Sequence, residues 1–156
     1  MMGMQVPGVS PVLPWVVTAA VVVAGCVSPR IGGCPAIAPS ALPDGTAALQ
    51  ATTTRDASGA EIAVWGQGPN KVQQAARPLD AGEAQACPGQ AVIFAGGCYP
   101  LNPPLPHIRG QQAIVFDSLS SGEGSSIDWV ENGCVYEIRL PNTMPSVAVI
   151  DYASHY

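Results

Sequence analysis

The chain is 156 residues long, carries a formal net charge of -5 and has only 11% charged residues. Six basic side chains, Lys71 and five arginines, are too few to track a phosphate backbone, which excludes nucleic-acid binding as a function class. The length suits one domain with one modest core, and the richness in Ala, Gly and Pro suggests a GC-rich bacterial genome.

The first element in chain order is the uncharged apolar run from Trp15 to Gly25. It falls short of the roughly 20 residues that a membrane-spanning helix needs and has the length of a signal-peptide core. Small residues, Ala24 and Gly25, stand just before Cys26, as a signal peptidase requires of the extended backbone it threads. The stretch VAGC resembles the bacterial lipobox. That resemblance implies cleavage before Cys26, a diacylglycerol on its thiol, and anchorage of the mature protein to the bacterial cell membrane from outside the cytoplasm. The chain departs from the pattern in having no Lys or Arg before Arg30, where positive charge ordinarily begins a signal. A buried core helix, or a signal cut at another site, is the competing reading.

Residues 1–25 are thus expected as a lipoprotein signal peptide, and 26–40, CVSPRIGGCPAIAPS, as a Pro/Gly-rich tether in which neither helix nor sheet persists. Residues 41–156 are expected as a single β-rich extracytoplasmic domain. With Cys26 lipidated, Cys34, Cys87, Cys98 and Cys134 remain, an even number outside the cytoplasm, so two disulfides are expected. Three pairings are possible, and Cys87 with Cys98 and Cys34 with Cys134 is favoured. No CxxC pair occurs, so neither a zinc ribbon nor a thioredoxin-like redox motif is available.

The domain reads mainly as strands. ALQATTTRD and AEIAVWG, separated by Ala57, Ser58 and Gly59, suit a hairpin. AVIFAGG and QAIVFDSL are further strands, and the proline-rich YPLNPPLPH between them is an irregular, extended loop. In SIDWVENGCVYEI, Asn132 and Gly133 are the preferred pair for a two-residue turn, and they fix a register. Trp129 faces Tyr136 and Asp128 faces Glu137. One face then carries Ile127, Trp129, Cys134, Tyr136 and Ile138 and is the core face. The other carries Asp128, Glu137, Val130 and Val135 and is expected to be wetter. SVAVIDYASHY is expected as a short amphipathic helix with Val147, Ile150 and either Ala153 or Ser154 on its apolar side and Ser146 as N-cap. A last β-strand is the alternative.

In their order, LPDG at Leu42 to Gly45, AEIAVWG, IRGQQAIV, WVENGCVYEI and SVAVIDYASHY resemble the extracytoplasmic domain of bacterial anti-sigma-factor regulators and envelope lipoproteins, related in general design to the periplasmic sigma-E regulator and lipoprotein-carrier folds. The resemblance covers most of residues 41 to 156. It implies an α+β fold, a curved antiparallel β-sheet with a C-terminal amphipathic helix packed on one face, acting by contact with a partner and without catalytic residues. The cysteines and the stretch from ACPGQ to NPPLPH depart from it, so no partner surface carries over.

A catalytic set is hard to assemble from the residue types present. GQGPNK lacks the third glycine of a dinucleotide fingerprint and SGEGSS has no following Lys. His107 and His155 read as surface residues, and the serines from Ser118 to Ser126 as loop chemistry. Asp128 opposite Glu137 is the most suggestive acid pair, with a solvated face relieved by Arg139 as the plainer reading. No metal or cofactor is assigned. Trp129 and Tyr136 either form plain core or line a hydrophobic ligand cavity. The sequence therefore points to a lipid-anchored, non-enzymatic interaction domain binding an envelope protein or cell-wall partner. The alternative is a carrier or sensor of a hydrophobic ligand held between sheet and helix.

Overall fold

The computed structural model describes residues 28–101, 106–118, 124–140, 144, 146–153 and 156, apart from the side chains of 117, 118, 146 and 147. Cys26 and the signal-like run, the middle of the proline loop, the turn around 121 and His155 lie outside the described residues, as does the side chain of Ser146.

Two short strands, β1 (Arg30–Ile31) and β2 (Cys34–Pro35), pair across a turn in which Gly32 and Gly33 both have positive φ. A Cβ at Gly32 would collide with the Ala76 carbonyl oxygen, so only glycine allows this close approach. Ile31 and Cys34 are fully buried, and Ala36 nearly so. The segment expected as a tether therefore packs into the core from Ile31 onward. Proline and glycine here shape a tight turn against the sheet instead of leaving a free spacer.

A hairpin of β3 (Thr52–Arg55) and β4 (Glu61–Trp65) follows, closed by Asp56, whose carboxylate accepts from Ser58 N–H at 2.9 Å and Ala60 N–H at 3.1 Å. After a single 3₁₀ turn, β5 (Val72–Pro78) runs through the middle of the sheet. Its Gln74 is fully buried and fully used: the side chain accepts from Ile37 N–H at 2.8 Å and donates to Ile37 C=O at 3.0 Å. An inward-facing amide thus stands in for a missing strand partner and holds the chain after β2 in place.

An excursion leaves the sheet after β5. It contains α1 (Ala81–Ala86), N-capped by the Asp80 carboxylate, and the small hairpin of β6 (Gln90–Val92) and β7 (Cys98–Pro100). AVIFAGG is thus a strand for only its first two residues; the rest forms the β6–β7 turn, where Gly96 and Gly97 take positive φ. The chain rejoins the sheet with β8 (His107–Ile108), β9 (Gln111–Ser118), β10 (Gly124–Glu131) and β11 (Cys134–Arg139), and continues to α2 (Ser146–Ala153).

The seven-stranded order is β3-β4-β5-β11-β10-β9-β8, antiparallel throughout. Two meanders, β3 to β5 and β8 to β11, meet in the β5–β11 ladder. Among the described residues the architecture is mainly antiparallel β, with two short α-helices. The β10–β11 register pairs Ile127 with Ile138, Trp129 with Tyr136 and Asp128 with Glu137 around a turn in which Asn132 and Gly133 have positive φ.

One sheet face carries Ala63, Ala76, Ala113, Ile127, Trp129, Tyr136 and Ile138 in the main core cluster, together with Ile31 and Cys34. Val149, Tyr152 and Ala153 of α2 belong to the same cluster, and the Tyr152 hydroxyl donates to Ala41 C=O at 2.7 Å. Of the expected apolar side Ala153 is buried and Ile150 is 48% exposed, while Val149 and Tyr152 are buried in addition.

The opposite face is wetter only in part, with Val130 and Glu137 half-buried. Val135 is fully buried and Asp128 is 4% exposed, because Cys87 and Val92 of the excursion, with Leu79 and Phe94, pack over Val130 and Val135. Asp128 and Val135 depart from the expectation because their cover comes from chain far from the hairpin.

Two disulfides tie the fold, Cys34 to Cys134 and Cys87 to Cys98. The first fastens β2 to the start of β11. The second closes the excursion on itself.

Candidate functional site

The excursion and the sheet face beneath it hold the least ordinary chemistry in the molecule. Along one side of the excursion runs a cleft of about 290 Å³. Leu79, Val92, Leu101 and Val130 give it apolar walls, while Gln90 and Gln112 supply amides. Among the described residues no charged side chain lines it. Such a cleft suits uncharged, partly apolar groups, and its low volume suits a short segment or a small molecule.

Beside this cleft the sheet grips the β6–β7 turn through two side chains. Asp128 Oδ2 accepts the Phe94 N–H at 2.8 Å, and its Oδ1 has no hydrogen-bond partner among the described residues. Arg77 donates to the carbonyls of Phe94 at 2.8 Å and Ile93 at 3.0 Å, and holds the Glu83 carboxylate through two contacts of 2.7 Å. Burial pushes the Asp128 carboxyl up to about 7 against the lowering effect of the Phe94 N–H, and the charge of Glu137 adds to the rise. The Arg77 guanidinium holds Glu83 below the usual carboxylate range.

Asp128 and Glu137, paired across β10 and β11, have different surroundings. Glu137 accepts from Arg139 Nε at 2.7 Å, and Arg139 also reaches Asp56 at 2.9 Å. Hydrogen bonds from Ser58 and Arg139 depress Asp56 well below its ordinary value. Asp128 meanwhile lies under the β6–β7 turn. The acid pair singled out from the sequence is thus split between a surface ion-pair network and a buried clamp. Nothing in the sequence signals this split, since neither Phe94 nor Arg77 is near Asp128 along the chain.

Trp129 and Tyr136 are stacked, with ring centroids 4.9 Å apart, and both are 1% exposed. Tyr156 meets the Trp129 ring edge-on at 5.8 Å, and the Tyr136 hydroxyl donates to Pro35 C=O at 3.1 Å. The two rings pack against each other in the core, and Trp129 also borders the cleft. The Trp129 indole N–H donates to Glu131, whose carboxylate is also paired with Arg109 at 3.0 Å.

Of the histidines, His107 is exposed on β8. Ser125 is 1% exposed, with its hydroxyl unpartnered among the described residues and no histidine within the same element. Among the described residues no group of three or more His, Cys, Asp or Glu side chains is disposed to hold a metal ion. No helix among them is long and apolar enough to cross a membrane. No family model, no curated protein and no solved structure matches the chain.

Proposed function

We propose that the chain is a lipid-anchored protein of the bacterial envelope, held to the membrane through a diacylglycerol on Cys26, whose folded domain acts by binding an envelope protein or cell-wall component. The observation that carries this reading is the pairing of the cysteines. Four of the five form two disulfides within the domain, which fits an oxidising compartment, and neither bond uses the cysteine of VAGC. On this reading the chain shares the general design of the extracytoplasmic regulator and lipoprotein domains it resembles. The sheet would be covered on its Trp129 face by α2, which buries Val149, Tyr152 and Ala153.

The carrier alternative draws little support from Trp129 and Tyr136, since their stacked, buried rings pack against each other in the core. Its remaining support is the cleft beside the excursion. Contact through the exterior accounts better for a core this closely filled.

The test is the intact mass of the protein from a bacterial membrane fraction, before and after reduction. A species beginning at Cys26 with an added diacylglycerol, gaining about four protons on reduction, is the expected result. Cys26→Ser should shift the protein out of the membrane fraction without altering the two disulfides. An unprocessed, fully reduced chain would overturn the reading.

A further inference from the structure

The excursion is attached to the sheet in an unusual way. Its own disulfide, Cys87 to Cys98, makes it an internally closed unit, while no covalent cross-link joins it to the strands it covers. Its apolar footing is small: Cys87, Val92, Leu79 and Phe94 over Val130 and Val135. Its polar footing runs through two side chains of the sheet: at the β6–β7 turn Asp128 accepts the Phe94 N–H and Arg77 donates to the carbonyls of Phe94 and Ile93, and Arg77 also holds the Glu83 carboxylate of α1.

The charges around Asp128 come from every element packed on it. From β11, Glu137 repels an ionised Asp128 and Arg139 attracts it; from β5, Arg77 attracts it. From β9, the residue opposite is Ile114, which is apolar and 2% exposed. From the excursion, only the Phe94 N–H reaches the carboxyl. Both cations are already engaged, Arg77 by Glu83 and Arg139 by Glu137 and Asp56. An ionised Asp128 in the closed structure has one hydrogen bond and no cation of its own, whereas the protonated acid keeps that bond through its carbonyl oxygen. Burying a charge in this way costs far more than burying a neutral acid. Lifting the turn would admit water to the carboxylate.

We propose that residues 79–101 form a flap that stays docked while Asp128 is protonated and loosens at the β6–β7 turn when Asp128 ionises, uncovering Val130 and Val135. The device needs no ligand. It makes the face under the flap available toward higher pH, and the upward displacement of the Asp128 carboxyl places the change near neutrality. The flap remains closed on itself by its disulfide, so it moves as a unit.

Amide hydrogen exchange of the full, disulfide-bonded protein tests this, with rates corrected for the intrinsic effect of pH. From pH 5.5 to 8.5 the protection of the Phe94 and Gly96 amides should fall by ~10-fold or more relative to Tyr136 and Ile138 in the sheet. Asp128→Asn, which keeps the acceptor and cannot ionise, should abolish that dependence. Equal pH responses of flap and sheet in the unaltered protein would overturn the proposal, as would a surviving flap response in D128N. Should D128N fail to fold, Glu137→Gln serves instead. Removing the repelling charge and freeing Arg139 should move the midpoint to lower pH, and an unmoved midpoint would equally overturn the proposal.

Discussion

Asp128 ties pH to stability through its place in the β10–β11 hairpin. Its carboxyl is raised from 3.8 to about 7 in the folded protein, so between those values the native state holds a proton that the unfolded chain has lost. Stability is then greatest below about pH 4 as far as this group is concerned, falls as pH rises toward 7, and is flat above. The full span is up to about 4 kcal/mol. Asp44, Asp56 and Glu83 are lowered instead, and their contribution is lost as pH falls below the ordinary carboxylate range. Urea unfolding from pH 4 to 8 should show a declining free energy, and D128N should remove most of the decline. At the same scale, Gln74→Leu keeps the volume but leaves the Ile37 N–H and C=O without partners, at a cost of about 2–3 kcal/mol in the same assay.

At the scale of elements, legibility followed the distance over which the deciding contacts act. The β10–β11 register could be read because Asn132 and Gly133 impose it locally, and the β3–β4 hairpin because its connection is short. β5 could not be read in KVQQAARP, since two adjacent glutamines suggest exposure, yet Gln74 is buried against a backbone 37 residues earlier. The β1–β2 pair escaped notice for a related reason: Gly32 and Gly33 look like spacer composition until the Ala76 carbonyl is seen to demand a residue without a side chain. In α2, Val149, Tyr152 and Ala153 follow helical spacing as well as Val147, Ile150 and Ala153 do, and only contacts from outside the helix choose between them. The candidate site was the least legible part. Asp128 and Glu137 were recognisable as a pair, but Arg77, Phe94 and the covering flap belong to the excursion and its root, whose destination no local pattern encodes.

For the whole molecule, the two disulfides should differ in weight because they close loops of different length. Their sequence separations are 100 and 11. Loop-closure entropy gives about 5 kcal/mol for the first and about 3 kcal/mol for the second. Replacing Cys34 and Cys134 by Ala should therefore lower the unfolding midpoint more than replacing Cys87 and Cys98, as read by urea denaturation. The first pair of substitutions should also release β1 and β2 from the sheet, whereas the second should chiefly loosen the flap.

The bond from Cys34 to Cys134 also decides how the protein bears load. A pull applied upstream of Cys34 and downstream of β11 passes from β2 straight into β11 through sulfur, and the chain between them carries no tension. Stretching the oxidised protein should leave that segment folded or at least unextended, withholding about 340 Å of contour for its 100 residues. In a single-molecule extension experiment, reduction should release that length as an added step. The flap and Asp128 lie inside the shielded segment, whereas Val135 and Glu137 stand just beyond it on β11, so strain at the ends would reach the flap's footing before the flap itself.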